Sequence, residues 1–466
     1  MSTEHEQQIA PHLTVIPFDH NISLYDAAPF HLQAQPWEFA GWRQEILSWR
    51  TSVGIGAYLN PTPVSYLRGP DTLRFLSDIS ANSFASFAIG SAKHAIMCND
   101  DGNVVVHGML LRTGEQEVYS MWPNPWTDYQ LARAEGRYDV TIDMVESPFL
   151  FQVAGANSLE TLEVASGDDL HDIRFIRFRD TTIDGRPVRV LRIGMAGGLA
   201  YEVHGKEEDA HAVYAKILEA GREFDIHRVG YQAYALNHTE AGFPQSGLHF
   251  PQPWGDDQEF QAFMNAIGLS SIIEPIYTRG SAGPDVKKRY ANPLELGWGH
   301  MVKFDHDFIG REALERIAAA GHRKMVTLEW NKEDILDVHA SQLQHGEPYL
   351  PMDLPHQQMF WPTPGKGGVG EDQAPSQWAD DVLNDAGDVV GLSSGRVSSV
   401  FFREMLSLAM LDAEYAEEGT APTLIWGDPG TRQKKIRVTV ARFPYLNENR
   451  NENVDVETIP RRGGTR

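Results

Sequence analysis

The sequence predicts an α+β protein whose last third turns all-β. Three observations carry that prediction: a strand–turn–helix unit written twice, amphipathic helices spread over residues 37–320, and a switch near residue 324 to short alternating strands. The paired units are VSYLRGPDTLRFLSDI (64–79) and LFQVAGANSLETLEVA (150–165). In each, an apolar run meets a glycine, Gly69 or Gly155. A capping residue follows (Asp71, or Asn157–Ser158), then leucines at matching offsets: Leu73 and Leu76, Leu159 and Leu162. Duplication of a half-domain and two unrelated βα turns both account for the pattern.

The elements follow in order. Residues 1–35 read as an irregular lead-in, and 37–50 as a helix with Trp42, Ile46 and Trp49 on one face. Further helices are expected at 125–135, 207–223, 230–238 and 310–320, the last stopped by Gly321. KMVTLEW, DVVGLSSGRVSS, EMLSLAML, TLIWG and KKIRVTVARFPY then read as strands of a smaller β domain. Its first two strands are separated by 331–388, rich in Pro, Gly, His and Gln; connections of that length are usually functional or mobile. The tail from 448 is expected to be disordered at its end.

Composition narrows the function classes. A formal charge of −24 argues against nucleic acid and anionic membranes, which need clustered positive surface. No apolar run is long enough to span a bilayer, and the polar start MSTEHEQQIAPHL is unlike a secretory signal. One cysteine, Cys98, excludes an internal disulfide and fits a reducing cytoplasm. Eleven Trp and fifteen Tyr suit either an aromatic pocket or an aromatic core.

Motifs for activated serine, phosphate loops and zinc proteases are missing. GMAGG lacks the spacing of a dinucleotide loop, and FDHDF (304–308) reads as a solvated turn, because alternate residues of an extended segment face apart. No metal site is expected. Glu202, in RIGMAGGLAYEVHG (192–205), stands out as a carboxylate closing an apolar strand. Such a group is costly unless paired. It either grips adjacent N–H donors of a heterocycle, pairs with an arginine such as Arg192, or faces solvent.

NPLELGWGHMVKFDHDFIGREAL (292–314) resembles the most recurrent block of the folate-binding aminomethyltransferase superfamily, which includes the glycine-cleavage T-protein. WRTSVG (49–54), RGPDTLRFLSDISANS (68–83), GMAGGLAYEVHG (194–205), ILEAGREFDIHRVGYQAY (217–234) and VVGLSSG (389–395) are similar to it in the same order. The likeness is greatest to tetrahydrofolate-dependent O-demethylases of lignin-derived methoxy-aromatics, of the vanillate and 3-O-methylgallate type. It implies a three-domain cloverleaf: two interleaved α+β units within 36–320 and a C-terminal β-barrel over 321–447, followed by the tail 448–466.

The resemblance also implies roles. Glu202 falls on the pterin-binding glutamate, with Gln152 and Met121 as further folate contacts and Phe243 in place of a tryptophan. Tyr234 falls on a tyrosine between folate and methyl donor, where a phenol can hydrogen-bond to the departing oxygen; read alone, it is as well explained as a satisfied helix tyrosine. His107 takes the place of an acid that handles the one-carbon donor, and is either a base or a strand histidine bonded to backbone. Tyr58, Asn60 and Phe30 fall at the substrate pocket, and Pro123 stands where the demethylases carry an arginine, so the hooks for a small benzoate are mostly gone. Lys303, Arg311, Arg396 and Arg403 are candidates for the folate glutamate tail.

The implied function is transfer of a methyl group from a bulky methoxy-aromatic, a small molecule, to tetrahydrofolate in the cytoplasm. The alternatives are a lyase that releases formaldehyde from a hydroxymethyl-bearing aromatic dimer, with His107 as base, and a folate-binding protein without catalysis.

Overall fold

The computed structural model describes residues 15–17, 19, 22, 25–27, 34–60, 62–269, 277–355 and 376–464. The lead-in is not wholly irregular: β1 (Tyr25–Ala27) pairs with β2 (Ala34–Pro36), and Val15 and Ile16 are buried. Helix α1 (Trp42–Thr51) starts later than its periodicity suggests and buries Trp42, Ile46 and Trp49 as expected.

The repeated sequence is a repeated topology. After β3 (Val53–Gly56), strand β4 (Val64–Arg68) leads through Gly69 into α2 (Thr72–Ile79), and a meander β5 (Ala92–Cys98), β6 (Val104–Gly114), β7 (Glu117–Met121) returns β7 beside β4. After α3 (Trp126–Arg133) and β8 (Thr141–Met144), the order recurs. Strand β9 (Pro148–Ala154) leads through Gly155 into α4 (Ser158–Ser166), and β10 (Phe178–Ile183), β11 (Arg186–Leu191), β12 (Ala200–Lys206) return β12 beside β9.

The two units exchange one strand. β3 precedes the first unit but pairs with β9; β8 precedes the second but pairs with β4. The resulting sheets are β5-β6-β7-β4-β8 and β10-β11-β12-β9-β3-β13, the last strand being β13 (Ile226–Val229), reached through α5 (Glu207–Ala220). The two glycines mark the crossover points. Gly69 has φ +139° and a Cβ there would lie 2.1 Å from Asp139 O, just ahead of β8. Gly155 has φ +127° and would meet Ser52 O at 2.5 Å, just ahead of β3. Only a residue without a side chain admits that backbone approach. Asp71 and Asn157 do sit at the helix N-caps, but neither side chain caps its helix. Asp71 instead accepts from Asp139 N, and Asn157 donates to Glu160.

Helix α6 (Tyr234–Ala241), entered through a 3₁₀ turn, and α7 (Gln258–Ala266) follow. Strand β14 (Tyr277–Arg279) and α8 (Arg311–Ala320) then lead to β15 (Lys324–Trp330). The long connection opens with α9 (Lys332–Ser341), whose Asn331 cap accepts from Glu333 N and Asp334 N. It closes with β16 (Ser376–Trp378), which pairs with β14, and β17 (Asp380–Leu383). With β18 (Val389–Ser399), β19 (Glu404–Leu411), β20 (Thr423–Trp426) and β21 (Lys434–Ala441), strands β15 and β17 close a six-stranded barrel in the order β15-β19-β18-β17-β20-β21.

The tail packs on the body of the protein through residue 464, the last described residue. Asn451 is buried and bonds Arg192 and Ala200 O, and Val456 joins the core of the six-stranded sheet. Arg462 N and Gly463 N donate to the fully buried Glu163, which also holds His171. The tail docks here because Glu163 accepts from its backbone while Glu160 and Asp169 pair with its arginines Arg462 and Arg461. No described helix is long and apolar enough to cross a membrane.

Candidate active site

One core cluster joins both sheets, α6 and the barrel: Val64, Met109 and Met121 meet Leu150 and Ala200, Tyr234, Val397 and Leu406. Beside it opens a cavity of about 1030 Å³. Tyr58, His107, Met121, Glu202, Tyr234 and Phe243 all line it, residues spread over some 185 positions of chain.

Glu202 lies on β12 directly opposite Gln152 of β9, so the two side chains share one face. Glu202 is 7% exposed; its partner is His204 Nε2 at 3.1 Å, two residues along the same strand face. Arg192 does not reach it, being spent on Asn451 Oδ1 and O and on Val454 O. Ion pairing with Arg192 and exposure are thereby excluded. Gln152 is 1% exposed and stands behind the wall formed by Gly194. Its Oε1 accepts from Tyr58 OH at 2.6 Å, and its Nε2 has no partner among the described residues. A carboxylate acceptor and an unspent amide donor stand side by side. Of the two, Glu202 lines the cavity, and its carboxylate matches the two adjacent N–H donors on the amino-pyrimidine edge of a reduced pterin.

Apolar and aromatic side chains also line the cavity. Met109 and Met121 are cross-strand partners on β6 and β7, and both line the cavity. Phe243 stacks on Trp298 at 5.3 Å between centroids and on His94 at 5.5 Å. His107 packs on Trp298 at 4.9 Å and shares a 2.9 Å hydrogen bond, Nε2 to Nδ1, with His94. Burial, then the neighbouring His94 and His238, holds His107 well below the usual imidazole range. His94 is pushed down to about 4, mainly by burial. Neither carries charge near neutrality.

Tyr234 begins α6, flanked by Tyr231 at 5.6 Å and Tyr58 at 5.5 Å, with His238 edge-on at 5.0 Å. Burial raises its hydroxyl far above the ordinary phenol range, so it is a proton-bearing donor at neutral pH. The oxygen accepts a hydrogen bond from Gln245 Nε2.

Asn60 does not face the cavity: its amide donates to Ala57 O and Leu150 O and accepts from Leu150 N, pinning the chain to β9. Phe30 lies outside the described residues. None of Lys303, Arg311, Arg396 and Arg403 lines the cavity; Arg311 is paired with Asp307 and Glu315, and Arg396 is buried with Asp353 O. Arg450 is the one cation among its described lining residues, held by Glu452 and by Ala241 O and Leu446 O. In FDHDF, His306 bonds Asp305 and Ser80 O, as a turn does. Trp298, His94, His238, Gln245 and Arg450 were not singled out by sequence reasoning. Only Trp298 left a signal, inside the block 292–314.

Residues 20–251 match the family model of the GCVT N-terminal domain. A sesamin methylene transferase of Sinomonas sp. is 42% identical over 91% of this chain and 93% of its own length. A syringate O-demethylase of Sphingobium sp. is 32% identical over 88% and 89%. The crystal structure of glycine cleavage system aminomethyltransferase T from Bartonella henselae superposes with a TM-score of 0.65 over 92% of this chain and 96% of that one, at 16% identity, a likeness that shows the fold.

Proposed function

Because this chain belongs to the folate-binding aminomethyltransferase family, with tetrahydrofolate as cofactor, we propose that it takes a one-carbon unit from the ether oxygen of an uncharged methylenedioxy- or methoxy-aromatic. The observation that carries this reading is that Glu202 and the Tyr234 hydroxyl line one aromatic cavity, with the buried Gln152 beside Glu202 on the neighbouring strand. Bound tetrahydrofolate supplies a nucleophilic ring nitrogen that takes up the carbon.

The residues of the chain do the rest. Glu202 accepts from the pyrimidine edge, fixing the depth and rotation of the pterin, and Gln152 behind it holds the Tyr58 hydroxyl at the cavity wall. Met109 and Met121 cover an apolar face. Holding both reactants in line accounts for much of the acceleration such a displacement needs. Tyr234 donates to the ether oxygen as negative charge develops there. Arg450, at the cavity wall, is the cation available to the folate glutamate tail, which leaves none of the described lining cations for a benzoate. That favours a neutral aromatic, and the 42% identity to a sesamin methylene transferase favours a methylenedioxy ring over a methoxy one.

No observation favours the formaldehyde lyase. Its base, His107, is held neutral and weakly basic by burial, with Nε2 engaged by His94. The test is incubation with and without tetrahydrofolate across methylenedioxybenzenes, methoxyphenols and methoxybenzoates, with every product identified by mass. The expected result is a catechol or phenol formed in step with a one-carbon folate, uncharged substrates being preferred. Formaldehyde released at the same rate without folate would overturn the reading.

A further inference from the structure

The hydroxyl of Tyr234 stands at the end of a chain of hydrogen bonds that begins in the barrel. Strand β18 shifts register between Ser394 and Val397, and Gly395 sits in that irregularity with φ +62°. A Cβ on Gly395 would lie 2.4 Å from His249 Nε2, so the bulge packs directly on the imidazole. Gly395 O accepts the proton of Thr239 Oγ1 at 2.8 Å. Thr239 has one proton, so toward His249 Nε2, 3.1 Å away, it is the acceptor and Nε2–H the donor. The neutral imidazole then presents Nδ1 as an acceptor, and it receives the backbone N–H of Gln245 at 3.0 Å. Burial pushes His249 down to about 3, which keeps this tautomer uncharged. His249 N in turn donates to Gln245 O at 2.8 Å, closing the loop 245–249 on itself.

Gln245 is thereby fixed at both backbone groups, and its Nε2 donates to the oxygen of Tyr234. Both residues line the cavity. A hydroxyl that accepts from its neighbour keeps its own proton for another partner, and the open side here is the cavity.

Resting on the function proposed above, we propose that Gln245 is a positioning residue that orients the Tyr234 proton toward the oxygen from which the one-carbon unit departs. In that step the bond between the ether oxygen and its one-carbon substituent breaks and the electron pair stays on oxygen. Tyr234 stabilises it by a hydrogen bond without losing its proton. For a methoxy donor, the proton that finally neutralises the phenolate is the one given up by the attacking nitrogen; for a methylenedioxy donor both C–O bonds to the one carbon break in turn, and two folate nitrogens each give up one proton to the two catechol oxygens. Thr239 and His249 act one step back, by holding the backbone of Gln245.

The test uses the full chain with tetrahydrofolate and a series of aryl ethers graded in the acidity of the phenol released. Three variants are compared with the wild type: Gln245→Glu, Gln245→Leu and Tyr234→Phe. A carboxylate at 245 can only accept, so Q245E should capture the tyrosine proton. The expected loss is about 100-fold at pH 8, the low end of what a positioned proton donor contributes. Activity should return in part as the pH is lowered and the new carboxyl group becomes a donor. Q245E and Q245L should both show a rate that depends more steeply on leaving-group acidity, as Y234F does, while tetrahydrofolate affinity stays within a few-fold of wild type. If the wild type works but Q245E keeps its rate, or both Gln245 variants keep the wild-type leaving-group dependence, the positioning role is wrong and the function stands. If the wild type turns over none of these ethers, the proposed function fails and this role falls with it.

Discussion

Replacing Glu202 by glutamine changes one atom of the site and keeps its shape, so the consequence can be worked out from geometry. Of the two carboxylate oxygens, Oε2 already accepts from His204 at 3.1 Å. Facing a pterin edge, the carboxylate accepts two charge-assisted hydrogen bonds, each contributing about 1.5–3 kcal/mol. Glutamine keeps one acceptor and turns an N–H₂ toward ligand donors. Taking the low end, about 3 kcal/mol is lost, or about 150-fold in affinity for tetrahydrofolate. Thermal shift and calorimetric titration read this directly. At a ligand concentration 100 times the wild-type Kd, binding stabilises the fold by about 2.7 kcal/mol; the variant, at about 0.7 of its own Kd, gains about 0.3 kcal/mol. For a cooperative unit of 466 residues the unfolding entropy is about 1 kcal/mol/K, so the shift in Tm falls from about 3 °C to under about 0.5 °C. The ligand-free protein should lose little stability, since His204 keeps an acceptor. Equal affinity of the two proteins, or an equal shift in Tm, would refute the pterin role of Glu202.

Gln152→Leu removes the acceptor of the buried Tyr58 hydroxyl, so urea denaturation should show a loss of about 1–3 kcal/mol, and tetrahydrofolate should bind more weakly; an unchanged midpoint contradicts this. Gly155→Ala forces a side chain onto Ser52 O at positive φ, which should cost about 1–3 kcal/mol by the same measurement, with Gly69→Ala behaving alike. Acidification should destabilise the fold before any ordinary carboxylate titrates. His94, His238 and His249 are lowered, chiefly by burial, from 6.5 to about 4, 4 and 3. Their folded pKa values lie below the unfolded ones, so their contribution is complete above about 6.5 and is lost as the pH falls toward 4. His171 opposes them: burial alone would lower it, but Ile459 O and Glu163 raise it, so its contribution is lost as the pH rises. His107, held low chiefly by burial, acts in the same direction as the other three. Four sites outweigh one, and urea midpoints at pH 8, 6 and 5 should decline; a flat or rising series would contradict the assignment.

What the sequence disclosed depended on how local the physics was. The doubled βα unit was legible because Gly69 and Gly155 serve a turn within a few residues. The exchange of β3 and β8 was not, since pairing partners leave no trace in either strand. Glu202 was legible because a carboxylate in an apolar strand demands a partner; whether that partner was Arg192 depended on the tail, more than 240 residues away, which takes the guanidinium instead. Asn60 shows the opposite failure. Its polarity matched a pocket position, and the fold uses it to tie Leu150. Gln245 and His249 carry no motif at all, and acquire meaning only when the bulge at Gly395 reaches them.

The repeated topology gives the site two unlike walls. The pterin-facing pair sits on β9 and β12, the first strand and the last meander strand of the second unit. Their counterparts in the first unit are β4 and β7, where Met121 pairs with Val64 at the cavity edge. Equivalent strands therefore present Gln152 and Glu202 on one side and Val64 and Met121 on the other. The side chains make one wall polar and the other apolar. A ligand with a hydrogen-bonding rim and a flat apolar face is what such a pair accommodates, and the barrel's bulge reaches the hydroxyl of Tyr234 through one histidine and one glutamine.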